Sequence, residues 1–223
     1  MTAGLRERRK QATRQAISDV ATQMFAARGF DEVTIADVAA AAGVAKMTVT
    51  NHFPRKENLV FDQAGAVIRG LADVITTREP GETLLAAIRR DYAQRVARAD
   101  PTIGLSSPQF AQMIEGSPAL ASRGLEMLHQ RERALGDAIA AEAGTDGPHQ
   151  RLAAALLSSV HRVLYAEGTR RSLAGEPREQ TCAALGAAAR QAFDLLEPAL
   201  GGYLVRPRPD DTTRPAAPAV PGP

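Results

Sequence analysis

Between Arg6 and Arg28 the apolar positions recur at helical spacing: Ala12, Ala16 with Ile17, Val20, Met24 and Ala27. That period predicts a helix over 6–28, and Gly29 is the expected stop just past its last turn. Phe25 and Phe30 bracket the stop and are expected to anchor a first core. Thr34-Ile-Ala-Asp37 then reads as a capping-box-like start, its hydroxyl able to accept from the backbone N–H of residue 37. Ile35, Val38 and Ala39 point inward in that second helix, which ends at Gly43, where a left-handed residue costs little. A third helix is predicted over about 45–51, closed by Phe53-Pro54. Two short helices joined by a tight Gly-containing turn form a helix-turn-helix pattern.

From Arg55 the pattern changes to longer helices, predicted at about 56–78, 82–99, 108–115, 118–143, 149–173 and 177–200. Pro80-Gly81, Asp100-Pro101, Ser117-Pro118, Gly144–Pro148 and Gly175–Pro177 separate them, each a turn signal. Residues 207–223 hold six prolines in seventeen and almost no large apolar side chain, so a disordered tail is expected there. Phe, Trp and Tyr together make only 4% of the chain, which argues against strands. The expected class is all-α with about nine helices: a small N-terminal three-helix domain over 1–54 and a larger helical domain over 55–206.

Charge sharpens this division. The net charge of +2 is small, but residues 1–14 carry Arg6, Arg8, Arg9, Lys10 and Arg14 against Glu7 alone. A basic N-terminal arm of this kind is suited to nucleic acid. The single cysteine, Cys182, excludes an internal disulfide and fits a reducing compartment. His52, His129, His149 and His161 show no metal-ligand spacing, so no metal site is expected. No secretory signal or spanning segment is visible, and a cytoplasmic location is expected.

Residues 25–59 carry a denser pattern: Phe25-x3-Gly29-Phe30, Thr34-Ile35-x2-Val38-Ala39-x3-Gly43-Val44, then Lys46-x-Thr48 followed by His52-Phe53-x2-Lys56-x2-Leu59. This segment, about a quarter of the chain, resembles the N-terminal domain of the TetR family of bacterial regulators. The resemblance implies a recognition helix that buries one face and sets the other in the major groove of DNA. Val44 and Val49 suit the buried face, while Lys46, Met47, Thr48, Thr50 and Asn51 suit the groove or flanking phosphates. Thr34, His52 and Lys56 are expected phosphate clamps, and Arg9 and Lys10 of the arm add non-specific affinity. The family usually has a tyrosine where this chain has Thr50, so the backbone contact of that ring is shortened here to a hydroxyl.

No catalytic constellation follows residue 60: no nucleophile elbow, phosphate loop or zinc motif. An enzyme is therefore not expected, nor is a cofactor. The last two helices carry apolar faces, Leu152, Leu156, Val160, Val163 and Leu164 on one, Cys182, Leu185, Ala189, Phe193 and Leu196 on the other. Gly186, Ala187, Ala188 and Ala192 permit close approach. In the family these helices pair across a two-fold axis, which implies a homodimer with Leu156, Val160, Val163, Leu185, Ala189, Phe193 and Leu196 at its interface. Met113–Leu120, followed by a long Arg/Glu-rich helix, resembles a subgroup described as having an acyl-CoA-like ligand-binding domain. The middle helices would then enclose a small apolar or amphipathic effector, with Phe61, Tyr92, Phe110, Met113, Ile114, His129, His161 and Tyr165 as candidate liners. The function so implied is a dimeric repressor released from a palindromic operator by an effector. A ligand-independent architectural DNA-binding protein and an activator are the alternatives.

Overall fold

The computed structural model describes residues 2–208, with side chains from Gly4 onward. Segment 209–223, most of the expected Pro-rich tail, lies outside the described residues. Among the described residues the elements are nine α-helices and two short 3-10 turns, as the all-α reading expects.

The N-terminal core is built by α1 (Thr2–Arg28), α2 (Ile35–Ala41) and α3 (Lys46–His52). Gly29 ends α1 at a φ of 83° and lets Phe30 fold back on Phe25, ring centroids 5.1 Å apart. Thr34 caps α2 in a complete capping box: its Oγ1 accepts from the Asp37 amide at 3.2 Å, while its own amide donates to the Asp37 carboxylate at 2.8 Å. That Thr34 amide, and then the Thr34 hydroxyl donating to the same carboxylate at 2.8 Å, hold the Asp37 carboxyl below its ordinary range. The buried stripe of α1 is Ile17, Ala21 and Phe25, not the alanine series that the period suggested; Ala12, Ala16 and Ala27 face solvent. An alanine fits either face of a helix, so the large side chains set the phase.

The helix expected over 56–78 is divided. A 3-10 turn (Lys56–Leu59) precedes α4 (Ala64–Thr77). Leu59 packs into the N-terminal core, whereas Leu71 and Ile75 of α4 belong to the second core. The chain changes partners between them, and Asp62 marks the break. Its carbonyl accepts from Arg14 at 2.7 Å and its carboxylate from Ser18 at 3.3 Å.

The second body holds α5 (Leu84–Ala97), a 3-10 turn (Pro101–Ile103), α6 (Pro108–Gly116), α7 (Pro118–Ala143), α8 (Pro148–Leu173) and α9 (Arg178–Leu200). Proline opens α6, α7 and α8, where its missing N–H costs nothing. Helix α4 lies along α7, α7 on α8, and α9 against both α5 and α8. Leu120 at the start of α7 is fully buried in the N-terminal core, with Met113 and Ile114 of α6 packed beside it. The first turn of α7 thus ties the two bodies together.

The 3-10 turn 101–103 crosses α8 backbone to backbone. A methyl group on Gly168 would sit 2.7 Å from the Ile103 carbonyl oxygen, and Gly104 adopts a φ of 91° to leave the crossing. Gly168→Ala is expected to destabilise the protein by about 1–3 kcal/mol through overpacking. This outweighs the roughly 0.5–1 kcal/mol that alanine gains inside a helix. Denaturant unfolding measures it as a lower midpoint.

Candidate nucleic-acid interface

Helix α3 is amphipathic over only seven residues. Val49 and the following Phe53 are fully buried against α1 and α2, and Val44 is half-buried, which fixes how α3 is presented. The opposite face carries Lys46, Met47 and Asn51, all exposed, with Thr48 half-buried beside them. Met47 is 69% exposed, an unusual place for a large apolar side chain unless a partner covers it. Lys46 makes no ion pair among the described residues, so its charge is available to a phosphate or a base edge.

Other expected contacts are differently placed. The Thr50 hydroxyl donates back to the Met47 carbonyl at 3.1 Å, which keeps it on its own helix. Thr34 is exposed, but its hydroxyl also donates to Asp37 at 2.8 Å and serves α2. Lys56 lies over the Phe30 ring at 4.2 Å, with its Nζ 3.4 Å from the Asp31 carbonyl. His52 is half-buried, and its carbonyl accepts from Arg14 at 2.6 Å. Arg14 stacks over Phe53 at 4.2 Å, so this arginine locks α1 to the end of α3. Arg9 and Lys10 are exposed on α1, within the helix expected over 6–28, and make no ion pair among the described residues.

The eight candidate ligand residues do not share one cavity. Phe110 and Met113 line a cavity of about 680 Å³ with Phe25 and Phe30, at the junction of α1, the turn after it and α6. Phe61 and Ile114 pack on the N-terminal core, and His129 is exposed. Tyr92 and His161 meet edge-on in the second core at 5.3 Å, both buried, while Tyr165 is 37% exposed.

The dimer candidates divide as well. Leu185, Ala189 and Phe193 are buried inside the protomer, at 0%, 5% and 1% exposure, and pack in its own core. Val160 is buried, and Leu156 and Leu196 are half-buried. Outward-facing apolar residues on α8 are Leu152 and Val163. On α9, Leu195 is 81% exposed and follows Ala184, Ala188 and Gln191 at helical spacing. The sequence gives little sign of Leu195, because α9 carries apolar or small residues on nearly every side.

Among the described residues no helix is long and apolar enough to cross a membrane, and no group of His, Cys, Asp and Glu is arranged to hold a metal.

Residues 17–62, from mid-α1 to the turn before α4, match the family described as bacterial regulatory proteins, tetR family. The chain is 26% identical over 212 residues to the HTH-type transcriptional regulator TcmR of Streptomyces glaucescens, covering 92% of this chain and 91% of that one. It is 39% identical over 74 residues to MftR of Mycobacterium tuberculosis, a transcriptional regulator assigned to mycofactocin biosynthesis, over 32% of this chain and 37% of that protein. The fold is similar to that of a protein from Mesorhizobium loti assigned to the TetR family, with a TM-score of 0.50 and 17% identity, over 84% of this chain and 98% of that one. Residues 17–62 thus carry a helix-turn-helix of the tetR type, with Lys46 presented on a braced recognition helix, in a chain similar over most of its length to a transcriptional regulator.

Proposed function

We propose that the protein is a homodimeric repressor that grips a palindromic operator through residues 1–54 and is released when a small-molecule effector binds the body formed by 55–206. The observation that carries the reading is the α2–turn–α3 unit: a seven-residue helix buried on its Val49 side and braced by Arg14, with Lys46 unpaired on the other side. In this reading Lys46 and Thr48 contact base edges or the nearest phosphates, and Met47 packs on a thymine methyl or the sugar edge. Arg9 and Lys10 approach the flanking backbone.

A second copy covers the outward stripes of α8 and α9. These two helices pack on each other within the protomer and leave Leu152, Val163 and Leu195 exposed, which suits a two-fold four-helix contact. Repression needs both recognition helices set about one duplex turn, roughly 34–36 Å, apart or at a multiple of it. Helix α4 is the element that transmits a change, because it starts at the edge of the N-terminal core and lies along α7. The effector acts by preferring the arrangement in which that spacing is lost.

Lys46→Ala and Thr48→Ala are each expected to weaken specific operator binding by about 1–3 kcal/mol, roughly 5- to 150-fold, with helix content and oligomeric state unchanged. Fluorescence anisotropy on the selected operator reads this directly. Wild-type affinity in both variants removes α3 as the reading helix.

A further inference from the structure

Inside the second body, Arg131 on α7 is 7% exposed, and among the described residues its guanidinium has no ion pair and no hydrogen bond; its Nε is fully enclosed. His161 on α8 is 6% exposed with its Nε2 likewise enclosed and unpartnered. Both line a cavity of about 20 Å³ whose remaining walls are Val67, Gly70 and Leu71 of α4, with Ile103, Arg95 and Thr102. Arg95 is already engaged: its Nε donates to Asp91 at 2.7 Å and its Nη1 to Thr102 at 3.0 Å. Asp91 is thereby committed to Arg95, and no carboxylate answers Arg131.

A buried guanidinium stays protonated, so this region holds one uncompensated positive charge. Burial, with Arg131 and Arg95 close by, holds His161 neutral, its pKa near 3; burial and Arg95 draw Arg131 itself down to about 10. Proteins that bury a charge supply its counterion, from their own side chains or from a ligand. Among the described residues none is supplied.

We propose that Arg131 and His161 form the anchor for the carboxylate of a small organic acid, whose apolar remainder lodges against Val67 and Leu71 of α4. A carboxylate fits better than a phosphate, because only one guanidinium is free and the other charge in reach is neutralised by Asp91. One carboxylate oxygen takes the water-sized space between the two side chains, and the rest of the molecule requires α4 to move away from α7. This rests on the effector reading above and gives its ligand a chemical class and a point of attachment.

The test titrates the full chain by calorimetry with acetate, benzoate and octanoate, each against its neutral amide. Wild type is expected to bind at least one carboxylate ten times or more tighter than the matching amide. Arg131→Met removes the unpaired charge while keeping the volume, so its melting temperature without ligand rises and the carboxylate preference disappears. Arg133→Met, an exposed neighbour on α7, keeps the preference. Equal binding of acid and amide, absence of binding by all three acids, or an undiminished preference in Arg131→Met overturns the anchor. Operator affinity, measured with and without the bound acid, separates the two readings. An acid that binds through Arg131 but leaves DNA affinity unchanged upholds the anchor and defeats its role in release.

Discussion

Arg78→Met is expected to lower the stability of the protein by about 3–5 kcal/mol, the range for removing one partner from a buried ionic network. Arg78 is 1% exposed, and its guanidinium joins four segments. It donates to the Glu142 carboxylate at the end of α7, at 2.6 Å through Nη1 and again through Nη2. It also donates to the carbonyls of Ile75, Glu82 and Leu204, at 2.7, 3.2 and 2.9 Å. Methionine fills the same space but removes the donor of the Ile75 and Leu204 carbonyls, while the Glu82 carbonyl keeps the Arg206 amide at 3.0 Å. Glu142 keeps partial access to water, with 28% of its side chain exposed, so most of the loss falls on the carbonyls. The Arg90–Glu82 pair, whose arginine is 43% exposed, offers the control: Arg90→Met is expected to cost about 0–1 kcal/mol. Guanidinium unfolding of the two variants compares them, and equal losses refute the network's role.

A second large effect separates two residues only two positions apart on α9. Phe193→Glu is expected to prevent folding, since Phe-to-Ala losses in cores already reach about 3–5 kcal/mol and an unpaired buried carboxylate adds to that. Phe193 is 1% exposed and packs edge-on to Tyr92 and His161, at 6.1 and 6.3 Å. Leu195→Glu changes a solvent-facing residue, so the protomer folds normally and light scattering returns the mass of a monomer. A folded, monomeric Phe193→Glu places Phe193 at the subunit contact instead. A dimeric Leu195→Glu removes the α9 stripe from the interface.

These contrasts mark what the sequence carries. The helix boundaries were legible because Gly29, Gly43, Pro101, Pro118 and Pro148 punctuate them, and because Thr34 and Asp37 form a cap readable from four letters. The reading helix was legible because a dense spacing of residue types surrounds it. Which face of a helix is buried was less so wherever alanine and glycine dominate, as in α1 and α9, since small residues suit core and surface alike. The break at 60–63 was hidden because Val60 and Phe61 continue an apolar period, and the long-range hold of Arg14 and Ser18 on Asp62 interrupts it. The aromatic and methionine residues read as one pocket are parted: Phe61 packs on the N-terminal core, Tyr92 lies in the second, and Phe110 and Met113 line the cavity beside α6. Arg78 and Arg131 gave no sign at all: in a chain rich in surface arginine, nothing local distinguishes a buried one.

The proposed repression depends on a two-fold dimer that reads a palindrome through α3. The direct measurement is selection of bound duplexes from random DNA at two salt concentrations, with the mass of the resulting complex determined. A two-fold dimer selects an inverted repeat with half-site centres about 10–10.5 base pairs apart or a multiple of that. It also entails occupancy by an even number of chains, and affinity that falls steeply as salt rises. A single asymmetric half-site held by one chain, or retention of DNA with no consensus, contradicts it.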